Sequence, residues 1–392
     1  MLFRSPHMPS IYLRPIGLFA APETPAHDDT ALRAFAGLPL SNTGRAIAAF
    51  EIAERSGRHV RRRLMELSDV FQRDWPQALD LGAIVERLTE PRARFAGLAL
   101  DRPVVMGIVN VTPDSFSDGG RHDSTGRAIA HGLRLAAEGA DILDIGGEST
   151  RPGSSAVALD EEMRRVIPVI AGLRAKTDVR ISVDTRKGEV MRQAAKAGAD
   201  ILNDVSALTH DPGALDAAAA TGLPIILMHS KGDPKTMNDD PRYGDLVLDV
   251  YDYLEARIAG CESAGIPRAK LCVDPGIGFA KHLHHNVAMM ANLSILHGLG
   301  VPVLLGASRK KMIAQLSVCA PAAPDGSGGS QAQRDVSNPE DRLPGSLATV
   351  MVAADQGVQI MRVHDVAATK QALAVWRAST MGHEPVAEQG RV

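Results

Sequence analysis

The chain has 392 residues, of which 45% are apolar and 23% charged, an ordinary globular balance for one large domain plus an extension. With 43 basic against 46 acidic residues the formal net charge is -3, which argues against a basic nucleic-acid-binding surface and a solvating acidic tail. Any anionic substrate must therefore be held by a few placed cations. The cysteines, Cys261, Cys272 and Cys319, are odd in number and fit no metal spacing, so they read as reduced thiols of a cytoplasmic protein. Residues 11–21 are apolar but hold Arg14 and Pro15, which makes a poor signal core. No apolar run approaches the ~20 residues of a membrane helix.

Residues 1–93 differ in texture from the rest of the chain. The stretch 46–67 reads as a helix with arginines at Arg58, Arg61, Arg62 and Arg63, which we take as a solvated face. Residues 79–88 read as a second helix, closed by Pro91. The expectation is a mainly helical extension without a catalytic pattern. Residues 94–101 are expected to form a short hairpin with the first strand of the next domain and to plug its base.

From residue 94 to about 385 short β-rich runs alternate with Ala-rich helical stretches. The runs are 104–110, 142–147, 180–185, 201–206, 225–230, 271–276, 301–308 and 360–366. Helices are predicted over 127–138, 160–175, 187–197, 246–264 and 345–356. Several end in a glycine suited to the position after a helix C-cap: Gly139, Gly198 and Gly357. Eight β-then-α units with strands apolar on both faces predict an α/β fold, a (β/α)8 TIM barrel. Residues 320–342, rich in Gly, Pro and polar side chains, read as a flexible insertion between the seventh and eighth strands.

Function in such a barrel lies at the C-terminal strand ends. Those ends carry Asn110, Asp144, Asp184, Asn203, Met228, His229, Asp274, Lys310, Arg362 and His364. For Thr185, Asp204 and Ser308 a satisfied core polar group or a helix N-cap is the preferred reading. As a set the ends demand more, because buried ionisable groups are costly unless paired. Asp184, Asn203 and Asp274 suit a flat heterocycle rich in N–H donors and would repel a phosphate. Arg362 and His364, two apart on a strand, share a face, and with Asn110, Thr150 and Arg151 could hold an anion. Asn110 and that anion could carry a hard cation such as Mg2+.

These motifs resemble those of dihydropteroate synthases across the whole barrel. The matching stretches are MGIVNVTPDSFSDGG from Met106, DIGGESTRPG from Asp144, SVDTRK from Ser182, ILNDVSA from Ile201, MHSKGDPKTM from Met228, DPGIGFAK from Asp274, GASRKKMI from Gly306 and RVHDV from Arg362. The resemblance implies a folate-pathway transferase that joins a pterin diphosphate to 4-aminobenzoate. It implies that Asp184, Asn203, Asp274 and Lys310 bind the pterin, with Met228 and Phe279 lining its slot. Asn110, Thr150, Arg362 and His364 would bind the diphosphate, with Asn110 also on Mg2+. Phe116, Thr150, Arg151, Pro152 and Lys311 would form the 4-aminobenzoate pocket, and Asp118, Arg151, Lys310, Arg362 and His364 would carry the catalytic roles. A homodimer is implied as well. At Lys311 the sequence departs from the serine common in the family. Two rival readings are a methyltetrahydrofolate-binding methyltransferase and a non-catalytic pterin-binding paralogue. The first needs no diphosphate site, and the intact Asp118, Arg151, Lys310, Arg362 and His364 oppose the second.

Overall fold

A computed structural model describes residues 10–21, 37–73, 75, 81–111, 121–149, 154, 156–232, 236–318 and 338–381, with the side chains of 121–123 excepted. Eight parallel strands dominate it: β7 (Val104–Asn110), β8 (Ile142–Gly146), β9 (Arg180–Asp184), β10 (Ile201–Asp204), β11 (Ile225–Met228), β12 (Leu271–Asp274), β13 (Leu304–Leu305) and β14 (Ile360–Val363). Their spatial order runs from β12 back to β7 and on through β14 to β13. Val273 closes the ring: it bridges Val303, and its N–H donates to the Pro302 carbonyl at 2.9 Å. All eight predicted runs are therefore strands of one closed barrel, and the predicted helices lie around it. The glycines expected to end helices do so with positive φ, +95° at Gly139, +105° at Gly198 and +77° at Gly357.

Strand alternation sorts the barrel's side chains. Val105, Leu143, Ile181, Leu202, Ile225, Leu271, Leu305 and Met361 point outward into one core shared with the helices. The opposite set, Val104, Met106, Ile142, Ile201, Ile226, Cys272, Leu304 and Ile360, fills the barrel interior. Phe95 and Leu100 seal its lower end. Residues 94–101 do not pair with β7 as expected. They form a separate turn, bridged Phe95 to Leu98, because the buried Phe95 ring draws that turn beneath the barrel floor.

The N-terminal extension is mostly β, which corrects the helical expectation. β1 (Ser10–Ile16), β5 (Ala49–Ser56) and β6 (His59–Glu66) form an antiparallel sheet, and β2 (Phe19–Ala20), β3 (Leu38–Pro39) and β4 (Arg45–Ile47) form a smaller one. Phe50 and Ile52 alternate with Glu51 and Ala53, the period of a strand, and Gly57 at φ +58° turns β5 into β6. The arginines do not form one solvated helix face. Arg62 pairs with Asp245 and Glu51, and Arg63 with Glu54 and the Trp75 ring. Helix Leu81–Thr89 stands as predicted. It and Leu67–Gln72 pack on the Leu13, Phe50 and Ile52 face of the sheet, while Tyr12 and Ala53 on the other face join the barrel's core.

The 320–342 expectation needs trimming at its end. Residues 319–337 lie outside the described residues, but Pro339–Arg342 is a 3-10 turn, and the Arg342 guanidinium donates to the Arg309 carbonyl at 2.8 Å.

Candidate functional site

Counting up each strand in twos from the apolar floor gives the site. Met106 leads to Asn110, Ile142 to Asp144 and Gly146, Ile201 to Asn203, Ile226 to Met228, Cys272 to Asp274, and Ile360 to Arg362. One register thus carries an apolar plug below and polar groups above. Asp184, Asn203, Met228 and Asp274 are buried.

Arg362 is the hub of the floor. Its Nε donates to Asp144 Oδ2 at 2.7 Å and its terminal nitrogen to Asp184 Oδ2 at 3.0 Å. Asn203 Nδ2 also donates to Asp144, at 3.2 and 3.3 Å. Asp144 is therefore a structural centre, a role that its place among the strand-end residues did not by itself assign. The only signal was its place on the interior register of β8. Burial alone would lower the Arg362 pKa, but the Asp144 and Asp184 carboxylates offset this and raise it. Burial raises Asp184 to about 7, with Arg362 opposing, and Asp184 Oδ1 is buried with no hydrogen-bond partner among the described residues. Asp274 is also raised by burial, against the pull of Lys310.

The β12 loop forms one wall. Gly276 N–H donates to Asp274 Oδ1 at 2.7 Å. Lys310 Nζ donates to the Ile277 carbonyl and lies 4.5 Å from the centre of the Phe279 ring. Lys281, missed by the sequence reading, is buried and donates to the Gly276 and Phe279 carbonyls at 3.1 Å each. Its ammonium also lies 2.8 Å from His229 Nδ1. Burial pushes Lys281 down to about 7 and holds His229 well below its usual range.

On the far side, His364 Nδ1 meets Ser308 Oγ at 3.0 Å. Arg309, at φ +59°, forks onto Asp365 at 2.6 and 3.0 Å and so ties the loops that carry Lys310 and His364. Lys311 is exposed at the first turn of helix Lys311–Val318. Asn110 Oδ1 and Asp184 Oδ2 both face Gly146, 3.8 and 3.9 Å from where a Cβ there would stand. Asp204 and Thr185 are satisfied as expected. Asp204 accepts from Ser206 and Leu208, and Thr185 donates to Glu162 at 2.5 Å. Phe116, Asp118, Thr150, Arg151 and Pro152 lie outside the described residues. At the foot of the second loop Glu148 accepts from Arg186 and Lys187, each at 2.5 Å.

A closed barrel with a carboxylate-and-amide floor and cations at its edge defines a TIM-barrel ligand site at the strand ends. The model of the pterin binding enzyme family matches residues 106–364. The dihydropteroate synthase of Escherichia coli (strain K12) is 47% identical over 292 residues, 74% of this chain and 97% of that enzyme. A Xanthomonas albilineans dihydropteroate synthase structure with 4-aminobenzoic acid has 52% identity and a TM-score of 0.64, covering 72% of this chain and 96% of that one. Another from the same organism, in complex with 7,8-dihydropteroate, has 49% identity and a TM-score of 0.61, covering 72% and 95%. The chain belongs to the pterin binding enzyme family and, within it, to the dihydropteroate synthases. No described helix is long and apolar enough to cross a membrane.

Proposed function

We propose that this barrel joins (7,8-dihydropterin-6-yl)methyl diphosphate to 4-aminobenzoate, giving 7,8-dihydropteroate and diphosphate, with the pterin seated on the Asp184, Asn203 and Asp274 floor. The observation that carries the reading is the buried Asp184 Oδ1 beside Asn203, without a partner among the described residues, an acceptor suited to a ring N–H. Met228 and Phe279 are suited to line the slot and Lys310 to cover it. Arg362 on the floor and His364 on the far side would meet the diphosphate, with Asn110 and Thr150. Phe116, Arg151, Pro152 and Lys311 would form the 4-aminobenzoate pocket, and Asp118 would act from the first loop.

The C–O bond at the pterin methylene breaks, its electron pair leaves with diphosphate, the arylamine nitrogen attacks the methylene carbon, and the proton that this nitrogen sheds passes to diphosphate or water. The carboxylates around the ring favour the cation-like centre that develops, while Arg362 and His364 stabilise the departing charge. No protein nucleophile is required. The Asn110 amide oxygen, which faces the same Gly146 surface as Asp184, is the kind of ligand a small hard cation takes when most of its other ligands come from phosphate and water. Asn110 would hold Mg2+ there, and the ion would offset the diphosphate charge. Among the described residues no group of three His, Cys, Asp or Glu is arranged for a metal.

A cytoplasmic setting fits Cys261 and Cys272, which are buried free thiols. A homodimer fits the exposed Leu316, Val352 and Val375 on the helices of the last two units. The domain division at residue 93 fits the change from antiparallel sheets to the barrel.

The test is a synthase assay with both substrates on the wild type and Arg362→Ala. Formation of dihydropteroate by the wild type, with kcat/KM at least ~100-fold lower in the variant and kcat itself reduced, is expected. An inactive wild type would favour the non-catalytic paralogue, and an unchanged kcat/KM would remove Arg362 from the site.

A further inference from the structure

The wall that carries Phe279 is supported from behind. The loop leaving β11 lies against it: Tyr243 Oη donates to the Ala280 carbonyl at 2.7 Å, and Lys281 N–H donates to Asn238 Oδ1 at 3.2 Å. The Tyr243 ring stands 6.1 Å from His229 and 5.1 Å from His285. That loop ends in helix Leu246–Ser263, whose N-cap is Asp245, accepting from Leu248 N–H at 3.2 Å. Asp249 reaches back to accept from Gly244 N–H at 2.8 Å, which fixes the peptide next to Tyr243.

Asp245, Asp249 and Asp252 fall on one side of this helix end, a carboxylate stripe that would repel itself if left alone. The N-terminal sheet neutralises it. Arg55 forks onto Asp249 at 2.6 Å and Asp252 at 2.8 Å, and Arg62 pairs with Asp245. Tyr12 Oη donates to Asp252 at 2.9 Å, and Tyr12 itself is buried in the barrel's core cluster. The contacts run from β5 and β6 through Asp245 and Asp249 to Gly244, the residue that follows Tyr243; Tyr243 in turn holds the Ala280 carbonyl, and Asn238 of the same loop holds Lys281 N–H. The family match begins only at Met106, so the sheet is an addition to what the family shares.

We propose that the N-terminal sheet braces the pterin wall, with Arg55 and Arg62 as positioning residues that act through Asp249 and Asp245 to seat Tyr243 behind Phe279–Lys281. The proposal rests on the reading of that wall as part of the pterin slot. It assigns the extension an intramolecular role on one substrate only. The 4-aminobenzoate pocket draws on other loops, so the two Michaelis constants should separate.

The experiment uses the full chain with Arg55→Met, Tyr243→Phe, the double variant, Arg55→Lys and Asp274→Asn. Both Michaelis constants, kcat and the melting temperature are measured. Arg55→Met and Tyr243→Phe should each raise the pterin KM about fivefold, with kcat and the 4-aminobenzoate KM within about twofold of wild type. The double variant should be no worse than the worse single, because both break one chain of contacts. Arg55→Lys keeps one of the two pairings and should recover most of the affinity. Equal rises in both constants, or additive effects in the double variant, would overturn the brace. Asp274→Asn separates the failures. Loss of pterin affinity there with none in Arg55→Met overturns the brace alone, and loss in neither overturns the slot assignment and the brace with it.

Discussion

Asp144 and Asp184 share the Arg362 guanidinium, and the sharing is unequal. Asp144 holds the Nε and accepts from Asn203, whereas Asp184 keeps one oxygen without a partner among the described residues. Burial holds Asp184 up to about 7, well above the ~3.9 of a free aspartate. Between those values the folded chain keeps a proton that the unfolded chain has lost, so this group's contribution to stability falls as pH rises from ~4 to about 7. Asparagine cannot ionise. The stability of Asp184→Asn relative to wild type should therefore be greater at pH ~8 than at pH ~5 by urea unfolding, and a gap equal at both would contradict the assignment. Asp274 makes a different case. Its Oδ1 is engaged by Gly276 N–H, and the carboxylate presents a second acceptor. Asp274→Asn places a donor where the proposed pterin contact needs an acceptor, so calorimetry should show pterin binding weakened by at least ~2 kcal/mol.

At the scale of elements, the β12 loop and β11 approach so closely that only glycine fits between them. Gly276 has φ +69°, and a Cβ there would lie 2.0 Å from the His229 carbonyl oxygen. Gly276→Ala must displace backbone in the loop whose N–H holds Asp274 and whose carbonyls hold Lys281. The expected result is a lower melting temperature, with a stability cost of about 1–3 kcal/mol, and weaker pterin binding measured on the folded fraction. A variant with wild-type melting and affinity would show that the loop can relax. The second loop is founded differently, on charge. Glu148 and Glu162 are almost wholly buried, and Lys187 pairs with both, so the base of that loop is fixed by ion pairs rather than apolar packing.

At the scale of the whole molecule, extension and barrel do not behave as beads on a string. Ser294 Oγ donates to the Pro15 carbonyl at 2.8 Å in a buried contact. Arg45, also buried, donates to the Leu18 carbonyl at 2.8 Å and the Asp355 carbonyl at 3.3 Å. Arg92 donates to the His297 carbonyl at 3.0 Å. Separating the two parts would leave Tyr12, Ala53 and these polar groups without their partners. The expected outcome is one calorimetric transition for the full chain, with equal calorimetric and van't Hoff enthalpies. Two resolved transitions would show the sheets to be an independent unit.

The sequence by itself determined the barrel and the set of polar groups at its mouth. Eight apolar runs, each with a polar residue near its C-terminal end, admit few other arrangements, and period-two alternation fixes which of those residues face inward. It could not determine the extension. Residues 46–67 carry apolar side chains at spacings that serve a helix or a strand, and the choice was made by pairing with β1 and by the acidic helix end that Arg55 and Arg62 meet. Nor could it show that Arg362 is drawn onto Asp144 and Asp184, or that Lys281 is buried against His229. Those groups lie far apart along the chain, and burial, which sets both their partners and their proton affinities, exists only once the barrel has closed.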